Sequence, residues 1–149
     1  MNEDQGYEFA DALARVARGV KSAAGEAMRA LGVHAGQNFV LEELWREDGL
    51  TPGELARRIG VDVSTVTRTA QRMEAAGLVA RIPDHDDARL VRVFLSGRGR
   101  ALRGELLPVL ASVYAQALEE LTPDQRATLI ALLRQVAERY RGHHAGDLT

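Results

Sequence analysis

A change of hydrophobic period in the middle of the chain constrains the fold more than any other feature. Between Thr51 and Ala76 the apolar residues recur at helical spacing. After Gly77, the runs LVARIP and LVRVFLS are short and rich in apolar and β-branched residues. The polar segment DHDDAR between them is longer than a tight turn, so its tip should project and be mobile. The pattern predicts helices followed by a two-stranded hairpin with a charged tip.

Two short helices are marked by strong start and stop signals. Thr51 is the predicted N-cap of the first, Pro52 suits its first position, and Glu54 stands where a capping box requires it. Gly60 ends this helix. The second short helix begins at residue 63 and stops before Gly77, the expected left-handed C-cap.

Longer helices are predicted on both sides of this centre. The first runs from about Tyr7 to Ala30, and the next lies in QNFVLEELWRED. Ser96 caps a helix that Pro108 should bend or break, and a second capping box opens the last helix at Thr122. Three of these helices carry wide apolar stripes: Phe9, Leu13, Val16 and Val20; Leu102, Leu106, Val109 and Val113; Leu129, Leu132, Leu133, Val136 and Tyr140. The predicted fold class is mainly α with a small β-hairpin.

The composition of the 149-residue chain excludes several classes of protein. It contains no run of about eighteen apolar residues, so no membrane-spanning helix is expected. The N-terminus, MNEDQGYEFA, is acidic and lacks the pattern of a secretory signal. The absence of cysteine excludes a disulfide framework, a zinc–thiolate site and a thiol redox switch. These observations predict a soluble cytoplasmic protein with no membrane partner and no cofactor.

Charge is distributed unevenly along the sequence. Residues 51–103 contain ten arginines and six acidic residues, a net charge of +4, whereas residues 1–50 carry −4 and residues 104–149 carry −2. A positive segment within an acidic protein indicates a local polyanion-binding surface. Lys21 is the single lysine. Arginine binds phosphates and guanine edges through paired hydrogen bonds, but a GC-rich genome would favour arginine equally.

The second short helix has one apolar face and one face of hydroxyl, amide and guanidinium groups. The residues that should face the core are Val63, Val66, Ala70 and Met73. The opposite face and its flanks carry Ser64, Thr65, Thr67, Arg68, Gln71 and Arg72. Short hydroxyls allow close approach to DNA, and longer side chains reach base edges or phosphates. The alternative is that the hydroxyls only cap and the arginines are only solvated. Two short helices followed by a charged hairpin favour a DNA-binding helix-turn-helix with a wing.

The stretch LTPGELARRIGVDVSTVTRTAQRMEAAGLVARIPDHDDARLVRVFLSGRGRAL resembles the winged-helix core of the MarR family of bacterial transcriptional regulators. The motifs that carry the resemblance are L-T-x-x-E-L-A, S-T-V-T-R, G-L-V, D-x-R and V-x-L-S-x-x-G. Ser96 stands where the family often has Thr, and Met73 replaces the usual Leu. The resemblance implies a winged helix-turn-helix core flanked by dimerisation helices. It divides the chain into an N-terminal dimerisation helix (residues 1–34), a DNA-binding domain (35–100) and C-terminal dimerisation helices (101–149).

The resemblance also implies which residues of the recognition helix bind DNA. Arg68 is the best placed to reach a base edge or a phosphate. Arg57 and Arg58, on the preceding helix, are expected to be solvated, with phosphate contact by one of them as the alternative. The candidate contacts are Ser64, Thr65, Thr67 and Arg68 first, then Gln71 and Arg72.

In the wing, Arg89 matches the arginine of D-x-R, which enters the minor groove in this family. Asp87 matches the aspartate that steadies it. Arg92 is either a phosphate contact or half of an ion pair on the strand face. Three remaining residues of the tip should turn away from DNA or shape the loop: Asp84, His85 and Asp86.

Partners follow from the same resemblance. MarR-like proteins form two-fold dimers, so a homodimer should bind double-stranded DNA at a near-palindromic operator with half-sites about 34–36 Å apart. Family members often release DNA when small aromatic or phenolic acids bind between the dimer helices and the winged domain. Candidate lining residues are Arg15, His34, Phe39 and Trp45. For Phe39 and Trp45 the alternative is a place in the core, and for His34 a place at a helix junction.

Other functions are less well supported by the residues. A winged helix that binds a protein instead of DNA would not need the Ser/Thr/Arg face or Arg89. The chain lacks a paired-acid pattern, a glycine-rich phosphate loop and a Ser/His/Asp arrangement, so an enzyme is not expected. His143 and His144 near the C-terminus are a poor match for a rigid metal site, and none is expected. The sequence therefore predicts a DNA-binding transcriptional regulator, most simply a repressor.

Overall fold

The computed structural model describes residues 3–140, which fall into two compact units that divide between Val113 and Tyr114. The order of the helices and strands confirms the predicted fold class, and the first helix begins at Glu3, earlier than the predicted Tyr7. Within these residues, none of the helices has the length and hydropathy of a membrane span. The elements are α1 (Glu3–Ala30), α2 (Gln37–Arg46), α3 (Pro52–Ile59), α4 (Val63–Ala75), β1 (Val79–Pro83), β2 (Val91–Leu95), α5 (Gly97–Ala117) and α6 (Pro123–Glu138).

The predicted caps at Thr51, Gly77 and Thr122 are confirmed. Thr51 Oγ1 accepts from the backbone N–H of Glu54 at 3.2 Å, and the Glu54 carboxylate accepts from the Thr51 N–H at 2.8 Å. A second box of the same kind, between Thr122 and Gln125, opens α6. Gly77 follows α4 with φ of 75°, a left-handed conformation that glycine adopts without strain. These local bonds stabilise the short helices before any tertiary contact is considered.

Strands β1 and β2 form an antiparallel hairpin that pairs Val79 with Leu95 and Pro83 with Val91. Leu50, in the turn between α2 and α3, forms an isolated bridge with Val93 and so joins the edge of the hairpin to the helices. Residues 84–90 form the connecting tip, and Asp84 N–H donates to Leu90 O at 2.8 Å across its base. The predicted hairpin is therefore confirmed, with a backbone link to the helix-turn-helix.

One continuous core lies between the helices and the hairpin. Leu41 and Leu44 of α2, Leu55 of α3, Met73 of α4 and Val93 of β2 are fully buried in it. The N-terminal half of α5 also contributes, and Trp45 packs partly buried against the cluster. The Trp45 Nε1–H donates to Gly99 O at 2.9 Å, so its polar edge is satisfied. Further members of the core are Val33, Val40, Val66, Ala70, Leu102, Leu106 and Leu110.

The structure decides three details that the sequence prediction had wrong or had left open. Val63 was placed in the core but is 50% exposed, because the whole first turn of α4 extends beyond the buried cluster. Phe39, also a candidate for the core, is 52% exposed, since α2 buries the neighbouring positions Asn38 and Val40 instead. Of the bend or break predicted at Pro108, the break does not occur, because α5 runs continuously through this residue. Pro108 is exposed, so water can hydrate the carbonyl group that loses its helical partner.

Candidate nucleic-acid interface

The outer face of α4 presents polar side chains to solvent. Its inner face is closed by Val66, Ala70 and Met73, which are buried as the helical wheel predicted. Exposure of one face along the whole helix leaves that face free to enter a groove of suitable width. The exposed residues of the predicted set are Ser64, Thr65, Arg68, Gln71 and Arg72.

The guanidinium groups on this face lack acidic partners. Arg68 and Arg72 form no ion pair with any residue between 3 and 140. Glu74, the acid within α4, accepts from the backbone N–H and the Nε–H of Arg81, at 3.0 and 2.9 Å. These two bonds lower the pKa of Glu74. A phosphate that approaches Arg68 or Arg72 therefore displaces no carboxylate.

Thr67 is half-buried on the flank of α4. Its hydroxyl donates to Val63 O at 2.9 Å, a bond within the helix that uses its one proton. The oxygen retains acceptor capacity, so the hydroxyl is better suited to accept from an amino group than to donate to a phosphate. The structure therefore favours Thr67 as a hydrogen-bond acceptor in the predicted contact with DNA.

The wing tip carries Arg89, an almost fully exposed arginine of the predicted site. The Arg89 side chain is 94% exposed, and its Nε lies 3.6 Å from Asp87 Oδ1. The same Asp87 oxygen accepts from the backbone N–H of Arg89 at 3.0 Å. An ion pair this exposed contributes little to stability, so a polyanion can replace it at small cost. This geometry fits the steadying role that the family pattern implies for Asp87.

Arg92 is engaged within the protein. Its Nε–H donates to the Asp84 carboxylate, and its Nη1–H donates to Gly49 O at 2.9 Å. The same nitrogen lies 3.9 Å from the Glu54 carboxylate. The bond with Asp84 is the main cause of the raised pKa of Arg92 and of the lowered pKa of Asp84, about 2. Of the two roles predicted for Arg92, the ion pair is therefore the one present in the structure.

The arginines on α3 differ from each other. Arg58 pairs with Glu47 and lies 3.8 Å from Glu43 Oε2, and its bond to Glu47 raises its pKa. Arg58 was expected to be solvated, but in the structure it is paired with acidic residues. Arg57 has no ion pair within the described part of the chain. Among the two, Arg57 is the freer to contact phosphate.

A cavity of about 570 Å³ opens between the turn after α1 and the C-terminal half of α4. Its lining includes both His34, a predicted effector residue, and Arg72, a predicted DNA contact. His34 lies at the helix junction, where its backbone N–H donates to Gln37 Oε1 at 3.0 Å. The other predicted effector residues do not line this cavity, and Arg15 pairs with Asp11 at 2.8 Å. The lining residues are His34, Ala35, Gln37, Thr69, Arg72, Ala75 and Ala76.

Residues 3–140 contain no cluster of histidine and acidic side chains suited to a metal ion. The histidines considered for such a site, His143 and His144, lie outside the described residues.

Sequence reasoning missed Asp48, which holds the base of the wing. Its carboxylate accepts from Leu95 N–H at 2.8 Å, from Gly49 N–H at 3.0 Å and from Arg100 Nη2–H at 3.0 Å. The Asp-Gly pair signals a turn, but nothing local identifies partners that lie so far along the chain. Asp84, by contrast, shapes the loop as expected, because it accepts from two backbone N–H groups of the tip.

These elements define the class of the protein. Helices α3 and α4 form a helix-turn-helix, and the β1–β2 hairpin that follows is its wing. The chain is similar to proteins of one family in particular: the profile of the MarR family matches residues 34–91. The HTH-type transcriptional repressor MdtR of Bacillus subtilis (strain 168) is 34% identical over 116 residues, which are 76% of this chain and 75% of that protein. The chain belongs to the MarR family of transcriptional regulators and is not an enzyme.

Two further comparisons agree with this assignment. The HTH-type transcriptional regulator TtmR of Methylorubrum extorquens (strain PA1) is 41% identical over 70 residues, 47% of this chain. That match spans only 36% of TtmR. The crystal structure of a mutant MarR from E. coli complexed with operator DNA superposes with a TM-score of 0.80 and 27% identity, covering 89% of this chain and 96% of that chain.

Proposed function

We propose that this protein is a sequence-specific regulator that binds double-stranded DNA, with α4 in the major groove and Arg89 in the minor groove. The observation that carries the proposal is the outer face of α4. It is exposed, it combines hydroxyl, amide and guanidinium groups, and its two arginines are not neutralised by acids of the described chain. The related MarR has been solved in complex with operator DNA, which supports DNA as the partner of this fold.

The proposed active form is a homodimer that binds a near-palindromic operator. Tyr7, Phe9, Leu13 and Val16 of α1 are between 44% and 78% exposed in the single chain. A stripe of this kind is stabilised when a second copy covers it. On α6, Leu132 and Leu133 are 53% and 43% exposed, and we expect a second copy to cover them as well. The division into residues 1–34, 35–100 and 101–149 is proposed on this basis.

We further propose that the regulator is a repressor released by a small aromatic or phenolic acid. The name of the related MdtR supports repression. The cavity beside α4 supports release, because Arg72 belongs both to its lining and to the proposed DNA face. A carboxylate bound by Arg72 would compete directly with phosphate. The alternative function, a winged-helix module that binds a protein, predicts no specific affinity for DNA.

The test is fluorescence anisotropy with the DNA upstream of the gene and with a shuffled duplex, each at two salt concentrations. The upstream duplex should bind about a thousandfold more tightly, and its affinity should fall steeply with salt. Arg68→Ala should weaken binding about 10- to 100-fold, as expected for loss of an arginine at a base edge. The matched control is Arg103→Ala, an exposed arginine of α5 that lies outside the proposed site. Equal binding of both duplexes, or equal effects of both substitutions, would refute the proposal.

A further inference from the structure

Asp84 is unusually protected for a residue of the wing tip. Its side chain is 11% exposed, whereas residues 85–90 are all exposed. One carboxylate oxygen accepts from the backbone N–H groups of Asp86 and Asp87, at 2.9 and 3.0 Å. The other oxygen accepts from Arg92 Nε–H. A carboxylate that binds two successive N–H groups closes the first turn of the tip into one conformation.

Arg92 continues this chain of contacts into the helix-turn-helix. It stands on β2 opposite Ile82, and its guanidinium reaches past the hairpin to Gly49 O in the turn before α3. The same group lies 3.9 Å from Glu54, the residue that completes the capping box of α3. The tip of the wing is therefore connected by hydrogen bonds and charge to the N-terminus of α3.

The contacts also extend outward to the arginine that is proposed to bind DNA. Asp84 holds the backbone N–H of Asp87, and the Asp87 carboxylate holds the backbone N–H of Arg89 at 3.0 Å. Each of these bonds joins a side chain to a backbone N–H further along the tip, so an unbroken series of hydrogen bonds runs from Asp84 to Arg89. The lowered pKa of Asp84, about 2, agrees with a carboxylate that is charged and fully bonded at neutral pH.

We infer that Asp84 and Arg92 are positioning residues, which hold the wing against the helix-turn-helix and so place Arg89 for entry into the minor groove. The inference rests on the proposed DNA-binding function. A tip that is already ordered loses less conformational entropy when DNA binds, and this gain appears as affinity. Neither residue needs to touch DNA for this effect.

The direction in which Asp84→Asn changes the affinity for DNA tests the inference. Removing an acid near DNA should tighten binding if only electrostatics matters. Asp84→Asn instead should weaken operator binding about tenfold, because its amide nitrogen cannot accept from Arg92. Asp86→Asn is the matched control. It removes the same charge two residues away, from a side chain that is 97% exposed and whose ion-pair partner among residues 3–140 is His85. It should leave affinity unchanged or raise it. Equal effects of the two substitutions would overturn the inference.

A double-mutant cycle separates positioning from direct contact. Arg92→Gln should weaken binding about tenfold in the wild-type protein but less than about twofold in the Arg89→Ala background. If Arg92 contacts phosphate itself, Arg92→Gln lowers the affinity for DNA by the same factor in both backgrounds, and the inference is wrong. Circular dichroism of each variant verifies that the fold is retained.

Amide hydrogen exchange gives a readout that does not depend on DNA. The Asp86 and Asp87 amides should exchange at least about tenfold faster in Asp84→Ala, which removes the oxygen that accepts from both, than in the wild type or in Asp86→Asn. Unchanged exchange would overturn the inference even if DNA binding falls. Failure of the wild-type protein to bind any upstream duplex would instead refute the proposed function, so the two failures are distinguishable.

Discussion

Gly99 lies where the first turn of α5 passes closest to the start of the wing. A Cβ atom built at this position would lie 2.1 Å from Leu78 O and 3.2 Å from Leu95 Cδ2. The carbonyl of Leu78 also accepts from Ser96 N–H at 3.0 Å, and Gly99 O accepts from Trp45 Nε1–H at 2.9 Å. The Gly99→Ala substitution must therefore move backbone atoms that two further hydrogen bonds hold in place.

The expected loss of stability can be worked from these distances. A carbon–oxygen contact needs about 3.3 Å, so the helix and Leu78 would have to separate by about 1.2 Å. Overpacking of this kind costs about 1–3 kcal/mol, and weakening two hydrogen bonds adds about 0.5–1.5 kcal/mol for each one lost. Alanine regains about 0.5–1 kcal/mol through its helix propensity. With both hydrogen bonds lost, the central values of these three terms give a net decrease in the free energy of unfolding of about 3 kcal/mol.

Gly104→Ala is the matched control on the same helix. A Cβ atom at Gly104 meets nothing within 4 Å, so the substitution should stabilise the protein by about 0.5–1 kcal/mol. Urea denaturation at a fixed protomer concentration measures both variants, and Gly99→Ala should lower the midpoint by on the order of 1 M. Equal midpoints for the two variants would refute the close-approach argument.

Two further predictions concern local bonds of the DNA-binding domain. Thr51→Ala removes the capping box of α3 and should lower stability by about 1 kcal/mol, measured by thermal denaturation; Thr51→Ser should retain most of the wild-type stability, and an equal loss in both would contradict the capping role. The Asp84 carboxyl should titrate with a pKa of about 2, measured by NMR, and Arg92→Gln should move it up toward the ordinary 3.8. Because this folded-state pKa is lowered, the contribution of Asp84 to stability is present above about pH 4 and lost as the pH falls toward about 2. A wild-type pKa at or above 3.8 would contradict the ion pair.

The local features of the fold could be predicted from the sequence because they depend on neighbouring residues. The capping box at Thr51 involves a partner three positions away, and the left-handed turn at Gly77 depends on one residue. The change from helical to alternating period located the hairpin for the same reason. The prediction of the polar face of α4 was also correct, since a helical wheel depends only on helix geometry.

Which of these residues are buried or paired was decided by tertiary structure alone. The helical wheel gives the angle of Val63 around α4 but not its distance along the axis, and that distance exposes it. Arg68 and Arg92 look alike in the sequence. The structure leaves Arg68 without an acid of the described chain and binds Arg92 to Gly49, 43 positions away, and to Asp84. Trp45 likewise finds its acceptor at Gly99, 54 positions along the chain. Partners at such separations meet only through packing, because no local rule of spacing specifies which distant backbone group will lie within hydrogen-bond reach.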